Sequence, residues 1–270
     1  MSRPIVTFTS DFGTDDWFVG VVHGVIHSIC PEARVVDVAH SVPPGHIPAA
    51  AFILEAAAPD FPAGTIHLAV VDPGVGTSRR AIALSARGQL FVGPDNGVLE
   101  WGLADPAAEV HELAEPRFFR QPVSRTFHGR DVFAPVAAHL ANGVRLADLG
   151  PVVRDPVRLG MPACRAGQHE VTGAVMHVER FGNGLTNITA EALAKTFPGS
   201  PESALVFEVV SRTIHGLSRS YGDSPVGAVV AILGSSGRLE IAQVGGHASS
   251  RLGFGAGDRV RVSLTGPPRT

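Results

Sequence analysis

The chain has 270 residues, 44% of them hydrophobic and 17% charged, with a formal net charge of −3. That length and composition describe a globule with room for two cores, and they exclude a disordered protein. With a slightly acidic balance and no Lys/Arg run longer than two residues, nothing offers an electrostatic footprint for nucleic acid or an anionic membrane, so a small-molecule ligand is expected.

In chain order, Ile5 to Thr9 reads as a short buried strand, and Trp17 to Ile29 as a helix with Asp15 and Asp16 at its start. Arg34 to Val38 reads as a second strand, Ile47 to Ala58 as a second helix, and Ile66 to Val71 as a third strand running into Asp72. This alternation predicts a largely parallel sheet covered by helices. Ala81 to Ser85 and Gln89 to Val92 form a predicted hairpin, followed by a GPDNG turn. A helix is predicted over Arg130 to Ala141, with Pro135 in its first turn or at a kink. From Pro151 on, three prolines interrupt any period. Strands are then expected at Glu170 to Val178, Leu205 to Val210, Ala228 to Leu233, Leu239 to Gln243 and Arg259 to Ser263, separated by Gly/Ser/Asn turns. The predicted organisation is an α/β N-terminal domain (residues 1–155), a linker (156–168) and a smaller, mostly-β C-terminal barrel domain (169–270).

Two polar clusters stand out against this apolar background, VVDPGVGTSRR at 70–80 and TFHGRD at 126–131. They place an acid (Asp72), a cation (Arg79) and an imidazole (His128) in turns, residue types that can orient a water molecule and take its proton. In open parallel sheets ligands sit beyond the carboxyl ends of the strands, where Asp11, Asp72 and the TFHG turn all fall. DFG at 11–13 and HGRD at 128–131 occur in the reverse of kinase order, without a Gly-rich loop or β3 lysine, and are set aside. No Gly-rich phosphate loop follows the first strand. The twelve histidines show no HExxH or HxH spacing, and His23 and His27, four apart on a helix, read as structural, so no metal is expected. Cys30 and Cys164 are distant in sequence and read as reduced thiols. With no signal-peptide pattern and no apolar run of membrane length, a cytoplasmic protein is expected.

TSDFGTDD, VVDPGVGTSRR, GPDNG, TFHGRDVFAP, ERFGNGLTNI, YGDSP and GSSGRLEIA occur in an order and spacing that resemble the S-adenosyl-L-methionine hydroxide adenosyltransferases, relatives of the fluorinase and chlorinase. The resemblance implies cleavage of S-adenosyl-L-methionine by water or hydroxide at the ribose 5′ carbon, giving adenosine and L-methionine without a cofactor. It also implies a homotrimer whose sites lie between the N-terminal domain of one subunit and the C-terminal domain of the next. By the same resemblance Asp72, Arg79 and His128 match the water-activating trio, with Phe127 and Gly129 beside it, and Asp11 matches the carboxylate that accepts the ribose hydroxyls. Asn183 matches a contact to the methionine amino group and adenine, Ser235 and Ser236 the turn around the methionine carboxylate, Tyr221 an aromatic stacked on adenine, and Gly245 the segment along the adenine edge.

The chain departs from that pattern at Glu179, where Asp is usual before RFGN, and at Gly45 and His46, where an aromatic residue and an Asp are usual. Two other readings stay open: a halide-using transferase on the same scaffold, since halogenases replace the Asp and His by tyrosines, and a binding protein for adenosine or S-adenosyl-L-methionine without turnover.

Overall fold

The computed structural model describes residues 3–265; the remaining residues of the two predicted domains, 1–2 and 266–270, lie outside the described residues. The chain divides into two compact units with the boundary after Gly160.

The N-terminal unit contains strands β1 (Ile5–Ser10), β2 (Arg34–Ala39), β3 (Ile66–Val70), β4 (Ala81–Ala86), β5 (Gln89–Pro94) and β6 (Glu109–Glu112). Its helices are α1 (Phe18–Ile29), α2 (Ile47–Ala57), α3 (Glu100–Leu103) and α4 (Ala134–Ala141). The sheet runs β2-β1-β3-β5-β4-β6. β1 pairs in parallel with β2 and β3, and β3 with β5, while β4 is antiparallel to both its neighbours. A strand covered on both faces reads as a near-continuous apolar run, and β3 is buried at every position, with His67 its one polar side chain.

Alternate residues of β3 serve opposite faces. Ile66, Leu68 and Val70 join α1 and α4 in a core with Phe8, Ile26 and Phe133. Ala69 and Val71 join α2 and α3 in a second core with Leu54, Phe91 and Leu99. The expected α/β unit with a largely parallel sheet is therefore present. Expected element ends shift by a residue or two, and three differences have clear causes. Asp15 and Asp16 precede α1 without entering its first turn, because Trp17 is the N-cap. The helix behind His128 opens as a π-helical turn, Gly129–Phe133, before α4 begins with Pro135 in its first turn. The short β6, not expected from the sequence, adds an edge to β4.

The C-terminal unit holds β7 (Arg165–Ala166), β8 (Glu170–Val178), β9 (Gly184–Thr189), β10 (Leu205–Val209), β11 (Arg212–His215), β12 (Leu217–Ser218), β13 (Val229–Leu233), β14 (Arg238–Gln243) and β15 (Arg259–Leu264), with the short helices α5 (Ala190–Thr196) and α6 (Ala248–Leu252). The order β11-β10-β15-β8-β9-β14-β13-β12 makes a nearly closed barrel, with β7 paired to β8. Phe207, Leu239, Ile241, Val260 and Val262 fill its interior. β9 was not expected: GLTNIT alternates small, apolar and polar residues, yet it lies between β8 and β14. β7 forms inside the stretch read as linker. Strand β10 ends at Val209 because Val210 takes a left-handed φ of 51°, a conformation costly for a β-branched residue.

Candidate functional site

At the carboxyl end of the N-terminal sheet, Asp11, Phe12, Gly45, Asp72, Phe127, His128 and Gly129 line one cavity of about 320 Å³. Three loops build it. Asp11 follows β1 and accepts the backbone N–H of Gly45 at 2.8 Å. Beside it His46, where an Asp is usual in the resembling family, caps α2 by accepting the N–H of Ala49 at 3.1 Å, a task that Asp also performs at helix starts.

Asp72 lies two residues past β3. Arg79 Nε donates to its Oδ1 at 3.1 Å and Nη2 to its Oδ2 at 2.5 Å, a bidentate pair with both side chains nearly buried. Nη2 of Arg79 also lies 3.2 Å from Nδ1 of His128. A guanidinium has only donors, so Nδ1 carries the lone pair and the His128 ring proton sits on Nε2. Burial, and then the Arg79 charge, hold the His128 imidazole below its ordinary value of 6.5, against a weaker opposite pull from Asp72 and Asp131. His128 is thus neutral, with one N–H to donate. The Arg79 guanidinium lies 5.3 Å from the centre of the Phe133 ring, which fixes its plane.

Several residues not singled out in the sequence hold this arrangement. Asn96 Nδ2 donates to the carbonyl of Val71 at 2.9 Å, tying the GPDNG turn to the residue before Asp72. Arg80 Nε donates to Asp95 in the same turn at 2.8 Å. Asp131, fully buried, accepts from Arg130 Nε at 2.6 Å and from the Ser124 N–H at 2.8 Å, and so shapes the loop that carries His128. Burial pushes the Asp131 carboxyl up, but Arg130 and the Ser124 N–H outweigh it and hold the carboxyl below its ordinary value. Gly129 packs where a Cβ would come within 3.1 Å of the Phe12 ring, and the Phe12 and Phe127 rings meet edge to face at 5.7 Å. The buried Asp beside an Arg, in GRDVF, was the available signal for this support.

The C-terminal unit holds a separate cavity of about 620 Å³ lined by Glu179, Phe181, Asn183, Tyr221, Glu240, Gln243 and Gly245 among others. Four expected site residues meet there: Glu179, Asn183, Tyr221 and Gly245. Ser235 and Ser236 are not in its lining; they form the exposed turn between β13 and β14. Glu179 spends its carboxylate on the chain itself, accepting the N–H of Phe181 at 2.9 Å and of Asn183 at 3.1 Å. Tyr221 donates to Glu240 at 2.9 Å, and burial followed by that hydrogen bond pushes its phenol up to about 12.

Among the described residues no group of three or more His, Cys, Asp or Glu converges as a metal site, and His23 instead meets Asp37 at 2.8 Å. No helix among them is long and apolar enough to cross a membrane. Cys30 and Cys164 are both free thiols.

Residues 6–150 match the family described as SAM hydroxide adenosyltransferase N-terminal domain, and residues 173–261 its C-terminal domain. An (R)-S-adenosyl-L-methionine hydrolase of Salinispora tropica is 42% identical over 268 residues, covering 96% of this chain and 98% of that protein. A crystal structure of an uncharacterized conserved protein from Thermotoga maritima superimposes with a TM-score of 0.90 at 36% identity, covering 96% of this chain and 99% of that one. A fluorinase of Nocardia brasiliensis is 28% identical, covering 97% of each chain.

Proposed function

This chain belongs to the S-adenosyl-L-methionine hydroxide adenosyltransferase family, and from that premise we propose that it hydrolyses S-adenosyl-L-methionine at the ribose 5′ carbon to adenosine and L-methionine. The observation that carries the reading is the Asp72, Arg79 and His128 group on the wall of a cavity that also contains Asp11. The sulfonium leaves as neutral methionine and needs no acid, so the enzyme's task is to hold and deprotonate a nucleophile in line with the breaking bond. Positioning and general-base assistance each suit that need, the second at about 10²- to 10⁴-fold.

In the proposed step the Nε2–H of His128 donates to the water oxygen and orients it. The oxygen forms its bond to C5′, the C5′–S electron pair passes to sulfur, and one water proton goes to Asp72. Each Asp72 oxygen, though bonded to Arg79, keeps a further lone pair for it. Arg79 stabilises the charge that develops on oxygen. The same carboxylate beside the nucleophile disfavours a halide, which would enter as an anion against it. The greater identity to the hydrolase than to the fluorinase supports the same choice.

Asp11 is assigned to the ribose hydroxyls, and Phe127 and Gly129 to the shape of the sugar pocket. Asn183, Tyr221 and Gly245 are assigned to adenine and the methionine amino group, with the Ser235 and Ser236 turn for the carboxylate. Glu179 acts there by fixing the turn that presents Asn183, since its oxygens already accept backbone N–H groups. The assembly we propose is a homotrimer in which the N-terminal cavity of one copy is completed by the C-terminal cavity of another. The enzyme is metal-independent, because the carboxylate a cation would need is held by Arg79, and its two free thiols suit the reducing cytoplasm.

Incubating the protein with S-adenosyl-L-methionine and following products by chromatography tests the reading. Equimolar adenosine and methionine, unaffected by EDTA, are expected. A 5′-halogenated nucleoside in chloride buffer would favour the halide-using transferase, unchanged substrate the binding protein, and loss with EDTA reversed by zinc a metal enzyme.

A further inference from the structure

A polar chain that the catalytic group does not use begins one residue before Asp11 and runs from buried Ser10 and His40 out to the exposed Asp37. Ser10, fully buried at the end of β1, has its hydroxyl 2.8 Å from Nδ1 of His40. Nε2 of His40 lies 2.9 Å from Oδ1 of Asp37, and the same oxygen lies 2.8 Å from Nε2 of His23 on α1. Parallel pairing of β1 with β2 makes this possible, since it brings the carboxyl ends of both strands together, with a register irregularity after Phe8.

His40 also meets the site loops through its backbone. Its carbonyl accepts the N–H of Gly13 at 2.8 Å, and the Ser10 hydroxyl it holds accepts the N–H of Phe12 at 3.3 Å. The turn carrying Asp11 is therefore fastened on both sides of the carboxylate to one histidine. The segment leaving His40 returns at Gly45, whose N–H meets Asp11. The ring itself packs edge-on to Phe8 at 4.7 Å, and the residue is only 6% exposed.

We infer that His40, through Ser10, is a positioning residue for Asp11: it sets where the carboxylate sits for the ribose hydroxyls and does not itself touch substrate. The His40 ring is the partner that fixes the buried Ser10 hydroxyl, and that hydroxyl in turn receives the Phe12 N–H; leaving it without the ring is unfavourable and frees the turn to shift. The inference rests on the proposed role of Asp11 at the ribose. A displacement of about 1 Å in such a group can cost about 10²-fold in rate.

The test compares kcat/KM for S-adenosyl-L-methionine and for its 2′,3′-dideoxy analogue in wild type, His40→Phe, His40→Asn and Ser10→Ala. In wild type the dideoxy analogue should react about 100-fold or more slower, since removing the hydroxyls must cost at least as much as misplacing the group that holds them. His40→Phe should lose roughly 30- to 100-fold on the natural substrate but stay within about threefold of wild type on the analogue, because the group it positions then has nothing to hold. His40→Asn, whose amide can meet the Ser10 hydroxyl, should recover most of the loss. Ser10→Ala, which removes one oxygen and no carbon framework, should show the same substrate selectivity at smaller size and carries the test if His40→Phe does not fold. Equal losses on both substrates, or none on either, would overturn the positioning role. A wild type indifferent to the missing hydroxyls would instead overturn the Asp11 assignment, and this inference with it.

Discussion

The N-terminal cavity takes its polarity from side chains paired with one another, Asp72 with Arg79 and Arg79 with His128, whereas the C-terminal cavity takes much of its shape from backbone turns. There the one acidic side chain at the RFGN turn is consumed by two backbone N–H groups, and glycine makes room. Under the proposed function the difference follows from two tasks. Chemistry needs groups whose charge and protonation state are set by neighbours, while recognition of a neutral ring and an amino acid needs donors and acceptors held at fixed places. Substitutions in the two cavities should therefore fail differently.

The largest effect is expected in the first. Asp72→Asn keeps the shape and removes the proton acceptor, so kcat should fall about 10²- to 10⁴-fold with KM little changed. Single-turnover and equilibrium-binding measurements separate the two quantities. A variant that lost affinity and kept its rate would mean that Asp72 holds substrate and does not act on water.

In the second cavity, Gly182→Ala should act the other way. Gly182 has a φ of 86°, and a Cβ there would overlap the His247 ring. The RFGN turn must shift, moving Asn183 and raising KM roughly tenfold while the chemical rate stays near wild type, with a stability loss of about 2 kcal/mol. Kinetics and urea unfolding on the same preparation check both.

A third effect separates the sheet from the site. His67 is buried in β3, 2.8 Å from Thr7 Oγ1 and stacked on Phe91, and burial lowers its pKa to about 4. Because the folded value lies below the unfolded one of 6.5, the unfolded chain takes the proton more readily. Stability is full above pH 6.5 and should be lost as pH falls toward 4, by about 3 kcal/mol in all. His67→Gln should remove this slope, which chemical denaturation at a series of pH values would reveal; a slope that survived would place the titrating group elsewhere.

The smallest effect concerns His128. Its protonation destroys the Nδ1 lone pair that faces Arg79, so activity should fall on the acid side, with the limb below the ordinary imidazole value because burial and Arg79 disfavour the charged ring. Arg79→Gln should move the His128 titration upward, as followed by NMR. A downward move would mean that Arg79 does not act through charge.

The sequence conveyed the parallel sheet and the gathering of Asp72, Arg79 and His128 well, and for a physical reason. β1 and β3 are short runs buried almost throughout, and Asp72, Arg79 and His128 are polar residues in turns beyond the sheet, so the local pattern marks both. What stayed hidden depends on pairing at long range. β9 has no apolar run of its own and becomes a strand only between β8 and β14. Asp131, Asn96 and His40 look like ordinary turn or strand-end residues until the fold brings Ser124, Val71 and Ser10 to them. His46, read as a departure, proved to be a helix cap that any side-chain acceptor could supply. Ser235 and Ser236, which the motif marks for the methionine carboxylate, lie in an exposed turn outside the lining of the C-terminal cavity.

The comparison between the two cavities rests on water being the nucleophile that Asp72, Arg79 and His128 activate. Turnover in ¹⁸O-labelled water, read by mass spectrometry of the nucleoside, tests that claim most directly. The account predicts one labelled oxygen at the 5′ position of adenosine, in wild type and in the residual product of Gly182→Ala alike. Adenosine without label, or a halogenated nucleoside as the main product in chloride buffer, would contradict it.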